Sequence, residues 1–126
     1  MKVYIDDKRK APEGWIQVFN ANDAIEFIIE NYDVITHIDF DYYLSKTNTL
    51  DTGMKVINYL INYQKRYSRT IFHSPQENYT FHSSDYDMNK EMYNAIASLF
   101  DKALEPVYVK PNMTQLQKLR NSKGRR

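Results

Sequence analysis

The chain opens with the stretch KVYIDDKRKAP at residues 2–12, in which a short apolar run ends on two adjacent acids, Asp6 and Asp7. An apolar run of this kind is typical of a buried strand, and open α/β sheets place their sites at the carboxyl ends of their strands. Adjacent carboxylates repel each other unless a cation or a basic side chain compensates. Carboxylate oxygens are also the ligands that Mg²⁺ prefers. The stretch therefore indicates either a cation site or a solvated turn, since Asp is common where strands end.

Strand-like and helix-like segments alternate along the rest of the chain. Five further segments have the β-branched and aromatic character of strands, at residues 15–19, 34–41, 70–72, 79–81 and 106–111. Apolar residues at helical spacing predict helices after Asn20, after Asp51 and over residues 88–103, with a weak one near residues 116–119. The pair 70–72 and 79–81 is either a hairpin or a loop followed by a sheet strand. This alternation predicts an α/β fold with a mostly parallel sheet flanked by helices.

Polar side chains end several of the predicted strands. Asp41 ends the strand at 34–41, His82 and Ser83 follow the strand at 79–81, and Lys110 closes the last one. Right-handed crossovers bring the carboxyl ends of parallel strands to one edge of a sheet. We therefore expect these side chains to meet Asp6 and Asp7 in a shared cation or phosphate site. His37, Asp39 and His73 are interpreted as ordinary strand and loop residues.

Composition narrows the classes of protein. The chain has 126 residues and no cysteine, which excludes disulfides, thiol catalysis and cysteine-bound zinc. No apolar run is long enough to span a membrane. The acidic residue Asp6 interrupts the first apolar run too early for a signal peptide, so we expect a cytoplasmic protein.

Residues 118–126 carry five basic residues and no acid, which leaves 12 basic and 16 acidic residues elsewhere. We predict one domain over residues 1–112 and a basic tail over residues 113–126. The bias towards Lys, Asn, Ile and Tyr suggests a phage or low-GC bacterial source.

Three blocks of the sequence resemble one family. The stretch DDKRKAPEGW at residues 6–15 resembles the Asp-Asp-x-Arg-x-Ala-Pro-x-Gly-Trp opening of the cyclic-phosphate processing receiver domain family. Asp41 followed by Thr52-Gly53 resembles its second block, and HSSD at residues 82–85 with Met92 its third. The resemblance covers about residues 1–104. It implies a compact, receiver-like (flavodoxin-like) sheet whose first receiver helix is reduced to a loop.

The resemblance also implies roles for individual residues. Asp6, Asp7 and Asp41 would hold a divalent cation, Mg²⁺ or Mn²⁺. Arg9 would clamp phosphate with its guanidinium fork. Lys110 lies beyond the matching stretch and is a further candidate for phosphate binding, because it ends the last predicted strand and precedes Pro111, as a Lys does in the broader group of receiver domains. The general acid or base would be His82, and Ser83 would supply a phosphate-binding hydroxyl. The implied partner is a nucleotide or an RNA end that carries a cyclic phosphate, which a metal-dependent cyclic phosphodiesterase would process.

The chain departs from the family pattern after the third strand, where Tyr42-Tyr43 replaces the usual His-Asp pair. Asp85 also replaces Asn, and Met88 replaces Gly. The missing His is the side chain best suited to proton transfer near neutral pH.

Two alternatives to a phosphodiesterase therefore stay open. One is a non-catalytic interaction module, with the Tyr side chains contacting a protein partner or stacking on a nucleobase. The other is a switch in which Asp41 accepts a phosphoryl group.

Overall fold

The computed structural model describes residues 1–73 and 76–109, which form a parallel four-stranded sheet and three α-helices. The strands occur in the order β2-β1-β3-β4 and have the bounds β1 Lys2–Ile5, β2 Ile16–Val18, β3 His37–Phe40 and β4 Tyr79–Phe81. The helices are α1 Ala21–Asn31, α2 Gly53–Tyr67 and α3 Tyr86–Val109, and a 3₁₀ turn occupies Gln76–Asn78. Residues 1–96 form one compact unit that contains the whole sheet, and residues 97–126 are grouped as a second unit. The predicted α/β class, with a parallel sheet flanked by helices, is confirmed.

The core of the first unit is built from the apolar positions that the sequence pattern selects. On β3, Ile38 and Phe40 are buried and alternate with the less buried His37 and Asp39. The helices contribute a set of fully buried side chains, which includes Ile28, Val56, Ile57, Leu60 and Met92. Each such side chain contributes about 1.5–3 kcal/mol to folding through burial. This core fixes the strands firmly enough to position the polar residues at their ends.

The connection between β1 and β2 contains no helix, as predicted. Gly14 adopts a φ of 88°, and the Trp15 amide donates to the Pro12 carbonyl at 3.1 Å, which closes a tight turn that needs glycine. The Gln17 side chain fastens the loop further, because its amide nitrogen donates to the carbonyls of Asp6 and Arg9 at 3.0 and 2.6 Å. These contacts hold the residues that follow β1 against the sheet.

Side-chain caps set the starts of the first two helices. Asn20 caps α1 by accepting from the Asp23 amide at 2.8 Å, and its own amide donates to the Asp23 carboxylate at 3.0 Å. Thr52 caps α2 by accepting from the Lys55 amide at 3.1 Å. Both helix starts agree with the sequence prediction.

Of the two alternatives for residues 70–72, a hairpin strand or a loop, the structure shows the loop. Ile71 and Phe72 are buried, but their amides donate to the side-chain oxygen of Gln64 at 2.9 and 2.8 Å. The segment therefore buries apolar side chains as a loop, because a glutamine oxygen accepts the hydrogen bonds that a neighbouring strand would otherwise take. The alternative in which only residues 79–81 enter the sheet is confirmed by β4.

The strand predicted at residues 106–111 is wrong, because residues 106–109 are the last residues of helix α3. The preceding turns of α3 are already formed, so residues 106–109 add to an existing helix, although Pro106 has no N–H to contribute to it. Lys110 and the predicted tail at residues 113–126 lie outside the described residues. The part of the chain that is described contains no final strand for Lys110 to follow, so its role in phosphate binding stays a prediction.

Among the helices described at residues 1–73 and 76–109, none is both long and apolar enough to cross a membrane.

Candidate functional site

Three polar residues lie directly after three adjacent strands. Asp6 follows β1, Asp41 follows β3 and His82 follows β4, and each continues the hydrogen-bond ladder of the sheet by one residue. The Asp6 amide donates to Val18 at 3.1 Å, that of Asp41 to Ile5 at 3.0 Å and that of His82 to Phe40 at 3.0 Å. These ladder bonds fix the three side chains at the carboxyl edge of the sheet, where the sequence predicted that they would meet.

His82 is held between two carboxylates. Its Nδ1 lies 2.7 Å from Oδ1 of Asp39 and its Nε2 lies 2.7 Å from Oδ2 of Asp6. The ring also stacks on Tyr4, with centroids 4.5 Å apart and planes 6° from parallel. A neutral imidazole has one N–H, so only the imidazolium donates to both carboxylates. Burial alone would lower the pKa of His82, but the hydrogen bonds to Asp39 and then Asp6 outweigh it and raise the pKa.

Asp6 is the most buried acid of the site, with 1% of its surface exposed. Its Oδ1 accepts from the amides of Lys8 and Arg9 at 2.7 and 3.0 Å, while Oδ2 faces His82. Burial raises the pKa of Asp6, but the Lys8 amide, the His82 ring and the Arg9 amide together outweigh burial and lower it. Asp6 is therefore a fixed anion that joins the β1 loop to the end of β4.

Asp41 has the opposite shift. Burial raises the pKa of its carboxyl, the Tyr42 amide at 2.8 Å opposes this, and the nearby charge of Asp6 raises the pKa further. The start of α2 packs tightly on this residue, because a Cβ at Gly53 would overlap the Asp41 carbonyl oxygen and lie 3.0 Å from Sδ of Met92. This packing explains why a Thr-Gly pair opens α2 beside an acid at the end of β3.

A divalent cation fits the two carboxylates of this cluster better than it fits the histidine. Asp6, Asp41 and His82 each offer a ligand atom, and these atoms lie within 4.8 Å of one another. However, both ring nitrogens of His82 already face carboxylates, so the ring serves as a cation rather than as a ligand. Asp6 uses three of its roughly four acceptor positions, which leaves one for a metal ion. Asp7 is outside this cluster but lines the adjacent cleft, and its role as a ligand stays a prediction.

An open cleft of about 410 Å³ lies beside the cluster. All of its lining residues are polar. They comprise three acids, three bases and five hydroxyl-bearing residues, namely Asp6, Asp7, Asp41, Lys8, Arg9, Lys46, Tyr43, Ser45, Thr49, Ser83 and Ser84. Such a lining suits a small, anionic and strongly hydrogen-bonding ligand and does not suit an apolar one.

The two other predicted phosphate contacts face this cleft while also holding the backbone. Nη1 of Arg9 donates to the His82 carbonyl at 2.6 Å, which leaves other guanidinium N–H groups for a ligand. Ser83 is buried, and its Oγ accepts from the Asp85 amide at 3.0 Å. Its hydroxyl proton can therefore still be donated into the cleft.

Sequence reasoning missed several residues of the site. Asp39 was interpreted as an ordinary strand residue, yet it holds His82 from the neighbouring strand. The alternation of β3 carried the signal, because it places Asp39 on the face of the sheet away from the buried Ile38 and Phe40. Lys8 and Lys46 also line the cleft, and no motif marks them.

Of the Tyr42-Tyr43 pair, Tyr43 lines the cleft and Tyr42 packs against the Tyr43 ring. The two rings meet edge to face with centroids 4.7 Å apart, and the Tyr43 hydroxyl donates to Asp85 at 2.9 Å. Tyr43 lines the cleft and is 52% exposed. Two of the departures from the family pattern, Tyr43 and Asp85, are thus hydrogen-bonded to each other.

Comparison with known proteins supports the resemblance seen in the sequence. A family model described as the cyclic-phosphate processing receiver domain matches residues 1–98, which include every described residue of the cluster and the cleft. Searches of curated proteins and of solved structures gave no match. The match spans more than three quarters of the chain, and the chain therefore belongs to the cyclic-phosphate processing receiver domain family.

Proposed function

We propose that the cleft recognises a cyclic or terminal phosphate on RNA or a nucleotide and opens the cyclic ester in a metal-dependent reaction. The observation that carries this proposal is the His82 imidazolium, which is held between Asp39 and Asp6 at the edge of a cleft lined by cations and hydroxyls. A phosphate needs several donors in a confined space, and the cleft supplies Lys8, Arg9 and Lys46 together with its hydroxyls.

The reaction adds water across one ring P–O bond of the cyclic phosphate. The water oxygen bonds to phosphorus, the bond to one ribose oxygen breaks, and that oxygen takes up a proton. The attacking water supplies this proton, so the reaction balances, and the His82 imidazolium, whose two N–H groups both face carboxylates, contributes positive charge beside the cleft. Asp39 keeps the ring oriented throughout, while the fixed charge of Asp6 stabilises the imidazolium.

Asp6 and Asp41 would hold the divalent ion, with Asp7 as the third carboxylate predicted from the sequence. The ion would neutralise negative charge on the phosphoryl oxygens and lower the pKa of a bound water. The raised pKa of Asp41 reflects burial beside Asp6, and a cation between the two carboxylates would relieve this repulsion.

Tyr43 favours a substrate that carries a nucleobase. Its ring is half exposed at the cleft wall, and the hydrogen bond to Asp85 and the contact with Tyr42 hold it in place. A ring held in this way loses little conformational freedom when a base stacks on it.

Binding of cytidine 2′,3′-cyclic phosphate in the presence of Mg²⁺, measured by calorimetry, tests recognition. We expect Lys8→Gln and Arg9→Gln to weaken binding about 10-fold or more, since a hydrogen bond to a charged group contributes about 1.5–3 kcal/mol. Lys10→Gln is the matched control, because Lys10 is exposed on the same loop but does not line the cleft. Equal affinity for cytidine, or equal losses in all three variants, would contradict the proposal.

A further inference from the structure

Helix α2 and the residues directly after it carry positive charge that does not line the cleft. Residues 53–70 contain four basic residues, Lys55, Lys65, Arg66 and Arg69, and no acid, in a chain whose formal net charge is only +1. All four are exposed. Lys65 and Arg66 in the last turn suit the helix dipole, which explains part of this charge on structural grounds alone. The dipole does not explain the aromatic residues that lie among these cations.

Three tyrosines, Tyr59, Tyr63 and Tyr67, form a stripe along the same helix at a spacing of four residues. Tyr59 and Tyr67 are 51% and 53% exposed. The rings of Tyr63 and Tyr67 lie 4.7 Å apart, and the Arg66 guanidinium lies 5.6 Å from the centre of the Tyr67 ring. With Asn62 these residues line a shallow groove of about 260 Å³. The stripe extends about 12 Å along the helix.

The stripe is not needed to build the core. The buried positions of α2 are Gly53, Val56, Ile57 and Leu60, and the last three are fully buried. Tyr59 and Tyr67 therefore place large apolar rings in solvent without filling the interior. Exposed aromatic rings among cations, with no acid in the segment, match the surfaces on which single-stranded nucleic acids stack their bases.

We infer that the tyrosine stripe of α2, residues 59, 63 and 67 with Arg66, binds single-stranded nucleic acid by base stacking. The positive charge of the segment disfavours a basic protein partner, and the aromatic stripe adds contacts that a simple polyanion could not use. A duplex would fit less well because its bases are already stacked. This surface goes beyond the proposed phosphate chemistry, since it contacts bases along a strand and does not require a cyclic end.

Fluorescence anisotropy of a labelled oligo-uridine with a 3′-hydroxyl end tests this inference on the full chain. We expect Tyr59→Ala and Tyr67→Ala each to weaken binding about 5-fold or more, because stacking contributes about 1–3 kcal/mol per base. Tyr59→Phe and Tyr67→Phe should keep wild-type affinity, since they retain the ring. Lys65→Gln combined with Arg66→Gln should reduce the slope of log affinity against log salt by about 1.4.

The matched control is Tyr86→Ala, because Tyr86 is 72% exposed and has a cation, Lys90, 5.7 Å from its ring centre on another helix. Its affinity for oligo-uridine should equal that of the wild type. Unchanged affinity in folded Tyr59→Ala and Tyr67→Ala proteins would overturn the inference. So would competition by polyglutamate as effective as that by oligo-uridine, since this would indicate binding of an acidic protein or any polyanion. Because the probe lacks a cyclic phosphate, either result leaves the cleft proposal unaffected.

Discussion

Replacing Asp39 by Asn tests whether a carboxylate on β3 sets the charge of His82. Asn keeps the size of Asp and an oxygen that can accept from Nδ1, so the variant removes charge while retaining a hydrogen bond. A bond to a charged group contributes about 1.5–3 kcal/mol and a neutral one about 0.5–1.5 kcal/mol. Because the two side chains are only 17% and 19% exposed, solvent screens the 2.7 Å contact weakly. We therefore expect Asp39→Asn to lower the free energy of unfolding by about 1–2 kcal/mol at pH 6.

The pH dependence of this loss follows from the direction of the shift. The pKa of His82 is raised in the folded protein, so its stabilising contribution is fully present below the unfolded value of about 6.5 and is lost as pH rises through the folded pKa. The difference between wild type and Asp39→Asn should accordingly be largest in mildly acidic solution and shrink at alkaline pH. Urea unfolding at a series of pH values measures the difference, and NMR titration of the His82 ring measures its pKa.

Asp33→Asn is the control for loss of one negative charge, because Asp33 is exposed. It should change stability by less than about 0.5 kcal/mol. The His82 signals are assigned with a His82→Gln variant, since the chain has three histidines. An unchanged His82 pKa in Asp39→Asn, or a stability loss that grows as pH rises, would refute the reasoning.

Three further predictions concern the same edge of the sheet. Gly53→Ala should destabilise the fold by about 1–3 kcal/mol in urea unfolding, because the new Cβ overlaps the Asp41 carbonyl oxygen; wild-type stability would show that this contact is not tight. Arg9→Lys should weaken the binding of a cyclic nucleotide, measured by calorimetry, although it keeps the charge. Lys lacks the guanidinium fork that can hydrogen-bond the His82 carbonyl and a phosphate at the same time, and equal affinity would contradict this. The pKa of Asp6 is lowered in the folded protein, so its contribution to stability is present above about pH 3.9 and is lost as pH falls through the folded pKa. Asp6→Asn should therefore reduce the fall in the free energy of unfolding at acid pH, and an unchanged fall would contradict this.

The sequence was informative about the edge of the sheet because the position of a residue after a strand is a local property. Asp6, Asp41 and His82 each follow a short strand-like segment, and parallel strand order then brings them together. The helix starts after Asn20 and Asp51 were predictable for the same reason, since the caps Asn20 and Thr52 each bond to a residue three positions away.

The features that were missed depend on contacts between distant residues. Residues 70–72 have strand composition, but Gln64 accepts their amide hydrogen bonds, and no local pattern reveals that. Residues 106–109 have β-branched character but continue α3. The role of Asp39 depends on a ring 43 positions away. In each case the deciding partner lies outside the window in which sequence periodicity is read.

Turnover of a short RNA with a 2′,3′-cyclic phosphate end tests the central claim most directly. The reaction is followed by ³¹P NMR with Mg²⁺ or Mn²⁺ for the wild type, Asp41→Asn and the control Asp33→Asn. We predict that the cyclic phosphate signal converts to a monoester with the wild type and Asp33→Asn, that chelation of the metal stops the conversion, and that Asp41→Asn abolishes it. Persistence of the cyclic signal with folded wild-type protein, or equal turnover by Asp41→Asn, would contradict the account.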